Sequence, residues 1–222
     1  VTGYITYVGR QGLYFQYRHN APLSRRIDPG TTNIIDIYLV TQAYYIAYQN
    51  YVTDSTGTVP EPAKPTIDEL TTSYSTLDQY KMISDNIILN SATFKPLFGT
   101  KAAVELRATL KCVKNPSSTA SVSEIKSQVV SSMNTYFTID NWDFGDTFFF
   151  SELSAYLHDQ LGSIISTVVL VPVDPLKSFG DLYEIRSQAN EIFVNSATVN
   201  DVEVIDALTS SQLRTASNSG VV

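Results

Sequence analysis

Cysteine and histidine are nearly absent from this 222-residue chain, which holds one Cys and two His. A single thiol, Cys112, cannot form an intramolecular disulfide, so the fold does not rely on the cross-links of small secreted domains. An intracellular origin fits that usage. With His19 and His158 the only imidazoles, a zinc site would be mostly carboxylate, and no structural metal or cofactor is expected. Long apolar runs are missing too. The longest, residues 164–173, is interrupted by Ser166 and Thr167, whereas a bilayer span needs about 20 mostly apolar residues, so no membrane partner is expected. Positive charge is scarce: 15 Lys and Arg against 22 Asp and Glu leave a net charge of −7. That balance argues against a sequence-independent grip on phosphate backbones, and no nucleic-acid partner is expected. Gly-x-Gly-x-x-Gly, Gly-Lys-Ser/Thr and Gly-x-Ser-x-Gly are all lacking, which removes the usual phosphate cradles and the common serine-nucleophile turn. A signal-peptide pattern is also lacking behind Val1, and the chain reads as a fragment of a longer protein.

What is present is apolar and aromatic: 43% hydrophobic residues, with 14 Tyr, 10 Phe and 1 Trp. Only 17% are charged. This composition folds rather than staying disordered, and at this length folding buries roughly 70% of the unfolded surface.

Residues 1–30 alternate short β-like runs with turn glycines and read as the β-rich end of an upstream domain. Arg10, Arg18, Arg25 and Arg26 face one acid, Asp28, so this segment is locally +3 and the remainder −10. The arginines are either solvated or a basic face that docks on an acidic neighbour. Residues 31–175 read as an α+β core domain, a mixed sheet packed by amphipathic helices. Asp28-Pro29-Gly30 supplies a turn before a β-branched strand over 33–40. Tyr44, Tyr45, Tyr48 and Tyr51 then recur at helical spacing and put most of the tyrosines on one helix face, as core or as interface.

Residues 54–65 hold three prolines and a glycine and are expected as an exposed, irregular loop. The capping box Thr66–Glu69 opens a helix expected to reach Lys81 or Ser84. Alternation over 101–114 predicts a strand with Val104, Leu106, Ala108, Leu110 and Cys112 inward, which makes Cys112 a packed thiol rather than a nucleophile. A second capping box, Ser121–Glu124, leads a helix through Ile125, Val129, Met133 and Phe137. Asp146 or Thr147 is expected to cap a third helix, ended by Gly162, before a buried strand over 164–173. In residues 176–222, runs over 183–186 and 191–194 look like a β-hairpin, followed by a polar tail.

Candidate chemistry is sparse. His158 suits a favourable charge at a helix C-terminus better than a general base. Asp140, Asp143 and Asp146 lack the ligand order of a calcium-binding loop and suit turns and caps. A dispersed carboxylate pair has no positive indication.

The order of segments resembles the baseplate J-like family of contractile-tailed phages, in its T-even-type wedge-subunit form. The carrying residues are Asp28-Pro29-Gly30 before NIIDIYLV; FKPLFG, residues 94–99, leading into AVELRATLKCV; the helix SEIKSQVVSSMNTYF; FGDTFFFSELSAYLHDQLGSIISTVVLVPVD; and NEIFVNS, residues 190–196. Gly145, Phe149, Ser151, Glu152 and Leu153 match the family's glycine-phenylalanine-Ser-Glu-Leu pattern ahead of its last core strand.

The resemblance implies a non-enzymatic structural subunit of the virion tail baseplate, assembled in the host cytoplasm. It would pair with a second copy of itself as a homodimer, and with other wedge proteins and neighbouring wedges in a ring that rearranges on sheath contraction. Charge segregation suits heterologous ring contacts, since from Asp174 onward there are 7 acids against 3 bases. The interface candidates are Arg18, Arg25, Arg26, Tyr44, Tyr45, Tyr48 and Tyr51. The rival expectation is a tail-associated carbohydrate-binding or glycan-cleaving module, because exposed tyrosines stack on sugars.

Overall fold

The computed structural model describes residues 34–75, 86–174, 179–180 and 183–205. The expectations for the N-terminal β segment, for Arg18, Arg25 and Arg26, and for the C-terminal tail fall outside those residues. Contacts divide the chain into two units, Val1–Asp36 with Thr76–Ile88, and Ile37–Ser75 with Leu89–Val222. In the first unit only the start of β1 (Ile34–Leu39) and of β2 (Asn86–Ser91), two strands that pair, lie among the described residues.

The second unit is α+β. Its main sheet has the order β6-β4-β9, with β4 (Ala108–Lys114) antiparallel to β6 (Ile165–Pro172) and parallel to β9 (Val202–Ile205). Alternation turns Ala108, Leu110 and Cys112 of β4 and Val168 and Leu170 of β6 into the core. Two amphipathic helices cover them. α3 (Val122–Tyr136) brings Ile125, Val129 and Met133, and α4 (Phe150–Leu161) brings Leu153, Leu157 and Leu161, each set at helical spacing. α3 starts at Ser121, whose hydroxyl accepts from the Glu124 N–H at 3.2 Å.

A parallel pair, β3 (Thr93–Leu97) with β8 (Glu191–Asn195), lies between two apolar groups. Leu97 and Phe193 point into the main core. Phe94, Ile192 and Val194 point to the opposite side, onto α1 (Gln42–Thr53). A strand apolar on both faces cannot show the alternation of a half-wet one. The rings of Phe98, Phe137, Phe148, Phe179, Phe193 and Trp142 fill the space beneath, with Phe98 stacked on Phe179 at 5.4 Å between centroids.

Several expectations are corrected. The runs expected as a C-terminal hairpin do not pair with each other: β7 (Glu184–Arg186) is antiparallel to β5 (Thr147–Phe149), and β8 joins β3. The expected strand over 101–114 begins only at Ala108. Before it, residues 104–106 form a 3-10 turn that leaves Val104 44% exposed, because the chain must turn the corner at Phe98 to start a new strand. Neither Asp146 nor Thr147 caps α4. Thr147 pairs with Arg186, while the Asp146 carboxylate accepts from the Asp143 N–H at 2.7 Å and its carbonyl from Ser187, so ladder pairing displaces the cap. α2 (Ile67–Ser73) opens on the expected Thr66–Glu69 box but ends well before Lys81. Thr71 and Thr72 hydroxyls bond back to the carbonyls of Ile67 and Asp68, a habit that weakens helices. At the second expected box only the Ser121 half forms.

Candidate functional site

The tyrosine helix α1 is built by a short sequence with clear local logic. Thr41 precedes it in extended conformation and its Oγ1 accepts from the Tyr44 N–H at 3.2 Å, which fixes the first turn. Spacing of four then aligns Tyr44, Tyr48 and Val52 toward the β3–β8 pair. They are 5%, 5% and 1% exposed. Phe94 is their common partner, with ring centroids 5.3 Å from Tyr44 and 4.6 Å from Tyr48. Both centroid separations are those of interacting aromatic pairs. Burial, and after it the nearby Glu61 carboxylate, push the Tyr44 and Tyr48 hydroxyls above the usual tyrosine range.

The expected interface face therefore divides. Tyr44 and Tyr48 are core, with no ring surface left for a partner. Tyr45 and Tyr51 flank them half-buried. Tyr45 lies 6.0 Å from Phe94, and Tyr51 meets Tyr48 edge-on at 5.7 Å. The Lys101 ammonium sits 4.3 Å above the Tyr51 centroid, a cation–π contact that fixes the ring and covers one of its faces. Ile46, on the outward side of the same helix, is 51% exposed. Arg18, Arg25 and Arg26 lie outside the described residues.

A second exposed aromatic group was not singled out in the sequence. Phe149 and Tyr183 are 37% and 43% exposed, and the Phe150 ring lies 6.1 Å from Tyr183. The signal was the Phe148-Phe149-Phe150 run, in which strand alternation buries Phe148 and turns Phe149 outward. Phe150 N–H donates to the Tyr183 carbonyl at 3.2 Å, which sets the two rings side by side.

Groups with chemical potential are arranged for structure. Cys112 is fully buried, and burial pushes its thiol up to about 12. His158 is exposed in the last turn of α4. Tyr136 is pushed up to about 12 by burial and by Glu152. A surface cleft of about 520 Å³ is lined by Lys95, Glu105, Glu184, Arg186 and Glu191 among others. Its Lys95 ammonium is already taken, donating to the Arg186 carbonyl at 3.0 Å and to Glu191 at 3.3 Å. Among the described residues no three His, Cys, Asp or Glu side chains gather around one point where a metal ion would sit. No described helix is long and apolar enough to cross a membrane.

No protein-family model matches the chain, and no curated protein matches it in sequence.

Proposed function

We propose that this chain is a structural assembly subunit that works through protein–protein contacts, specifically a baseplate wedge protein of a contractile phage tail. The observation that carries the reading is the pair of half-buried tyrosines, Tyr45 and Tyr51, that flank the buried stripe Tyr44, Tyr48 and Val52 of α1 on either side, with Lys101 over the Tyr51 ring. Tyrosine is among the residues enriched at the centres of protein–protein interfaces. The arrangement of segments that resembles the baseplate J-like family supplies the specific identity. In that role the face pairs two copies, and the basic N-terminal segment meets the acidic C-terminal part of a neighbour. A glycan-binding role has less room here, because Lys101 occupies one face of Tyr51 and sugars stack on free ring faces.

The test is absolute molar mass by light scattering over a wide concentration range, for the wild type and for Tyr45→Ala/Tyr51→Ala. A mass near twice 24.6 kDa that falls toward the monomer in the variant is expected. A wild type that stays monomeric at every concentration removes the self-pairing surface from α1.

A further inference from the structure

We infer that the face of the β6-β4-β9 sheet turned away from α3 and α4 is the docking surface of the chain's own C-terminal segment, residues 206–222. The inference is independent of self-pairing through α1, and it starts from the pairing register. Strand alternation sends Leu110 and Cys112 of β4 toward the helices, so Thr109, Lys111 and Val113 stand on the other face. Their ladder partners share that face. On β6, Val171 lies opposite Thr109; on β9, Glu203 lies opposite Lys111 and Ile205 opposite Val113.

The burial of this face has no source among the described elements. Side chains stand roughly perpendicular to a sheet, so on an uncovered face their tips meet water. Val113, Val171 and Ile205 are only 5%, 8% and 6% exposed, yet none of them belongs to either apolar cluster of the described residues. Among the described residues, the helices that lie against this sheet are α3 and α4, both on its other side. The cover is therefore another part of this chain.

Two observations select residues 206–222. They are the one long stretch of the second unit outside the described residues. The two shorter ones, 175–178 and 181–182, lead into and out of Phe179 and Gly180, and Phe179 is buried in the main core. The segment also departs directly from Ile205, which is itself on this face.

The pattern of the face matches that of the segment. Because β4 and β9 run parallel, Ile205 and Val113 mark one end, and Val171, opposite Thr109, lies toward the other, about 13 Å back along the strands. Between these apolar ends Lys111 and Glu203 form an ion pair at 2.9 Å. In the segment, Leu208 and Leu213 are separated by Thr209, Ser210, Ser211 and Gln212. Extended, the two leucines stand about 16 Å apart, enough to reach both apolar ends while the hydroxyls between them cross the ion pair. Asp206 and Arg214 are the segment's only charged side chains, so little charge has to leave water on docking. With the segment in place this face is closed to other proteins, and assembly contacts are confined to other surfaces.

The experiment pairs cysteines in the full chain: Val171→Cys with Leu208→Cys, with Leu213→Cys and with Ala216→Cys, oxidised mildly and read as intrachain disulfides by peptide mass spectrometry. In control pairs Ser127→Cys, at an exposed position of α3 on the far side of the sheet, replaces Val171→Cys. At least one Val171 pair is expected to cross-link about tenfold more than its Ser127 control, the difference between a docked segment and a loose tether. A second measurement does not depend on disulfide geometry. In Val171→Cys alone, the new thiol is expected to react with a maleimide about tenfold faster once Leu208→Asp/Leu213→Asp is added, while buried Cys112 stays unlabelled and so reports an intact sheet. Should the acidic variant label Cys112 as well, it has unfolded and the disulfide pairs decide. Absence of a disulfide in every Val171 pair, yields no higher than those of the Ser127 pairs, or unchanged labelling at position 171 in a folded acidic variant would overturn the inference.

Discussion

Ser196 closes the far end of the β3–β8 ladder directly over Gly99, so tightly that a Cβ on Gly99 would overlap the Ser196 carbonyl oxygen. The same serine accepts from the Gly99 N–H at 3.1 Å and donates its hydroxyl to the Leu97 carbonyl at 2.8 Å. The clash is with backbone, which cannot swing aside as a flexible side chain would. Gly99→Ala is therefore expected to cost about 2–3 kcal/mol, typical of overpacking. Ser196→Ala removes one of the two acceptors of the Gly99 N–H, which keeps the Leu97 carbonyl at 3.1 Å, and is expected to cost about 1 kcal/mol. Urea midpoints that fall at constant slope check both.

Tyrosines one turn apart on α1 should separate stability from association. Tyr48 is 5% exposed and its ring centroid lies 4.6 Å from that of Phe94, so Tyr48→Ala is expected to lose about 3–5 kcal/mol, as large-to-small aromatic substitutions in cores do. Tyr51 is half-buried, and Tyr51→Ala forfeits mainly its packing and the Lys101 contact, about 1 kcal/mol. Thermal unfolding and light scattering on the two variants should move in opposite proportion. A Tyr51 variant that unfolds as readily as the Tyr48 variant would place Tyr51 in the core as well.

Local signals were legible wherever one element carried its own period. The stripes Ile125, Val129 and Met133 on α3 and Leu153 and Leu157 on α4, and the alternation of Leu110 and Cys112 on β4, are all in the core. What was not legible depended on partners distant in sequence. Residues 184–186 and 191–195 look like a hairpin by spacing, yet β7 pairs with β5 and β8 with β3. β8 is buried from Ile192 to Asn195, on both faces, and its parallel partner lies about a hundred residues upstream. Asp146 carried a cap signature that the β5–β7 ladder overrode. The tyrosine spacing identified α1, but periodicity cannot say which flank of a stripe stays wet; the ring of Phe94 decides that.

Acid should loosen both ends of the 54–65 segment. Hydrogen bonds from Thr56 and Val59 hold the Asp54 carboxyl well below the usual carboxylate range, and those from Thr66 lower Glu69. A folded-state pKa below the unfolded one contributes stability above the unfolded value, and that stability is lost as pH falls through the folded one. The melting temperature is expected to drop between about pH 5 and pH 2, and less steeply in Asp54→Asn/Glu69→Gln. The tyrosines act at the other limit. Tyr44 and Tyr48 are raised, chiefly by burial, so their neutral form is favoured in the fold and stability declines above about pH 10. An equal acid slope in wild type and double variant would show that these carboxylates do not fasten the segment.

Cys112 offers a probe of whether the main sheet ever opens without global unfolding. Its side chain lies between β6 and β9, in the layer covered by α3 and α4, with its pKa pushed up to about 12 by burial. Labelling needs the thiolate, so the closed state is protected twice, by access and by protonation. At pH 8 the thiol is expected to resist a disulfide reagent for as long as β4 stays paired. The rate should rise with urea along the slope of global unfolding, because a thiol at the centre of the sheet is exposed only when α3 or α4 leaves. Labelling at the rate of an exposed thiol without denaturant would mean that a helix detaches under native conditions. Cys112→Ser tests the same packing by chemistry: it places a hydroxyl in the apolar main core, opposite Val168 and Val204 of the neighbouring strands, and is expected to cost about 1–3 kcal/mol. Cys112→Ala, which adds no polar atom, separates that polar cost from the loss of sulfur volume, so the serine variant should be the less stable of the two.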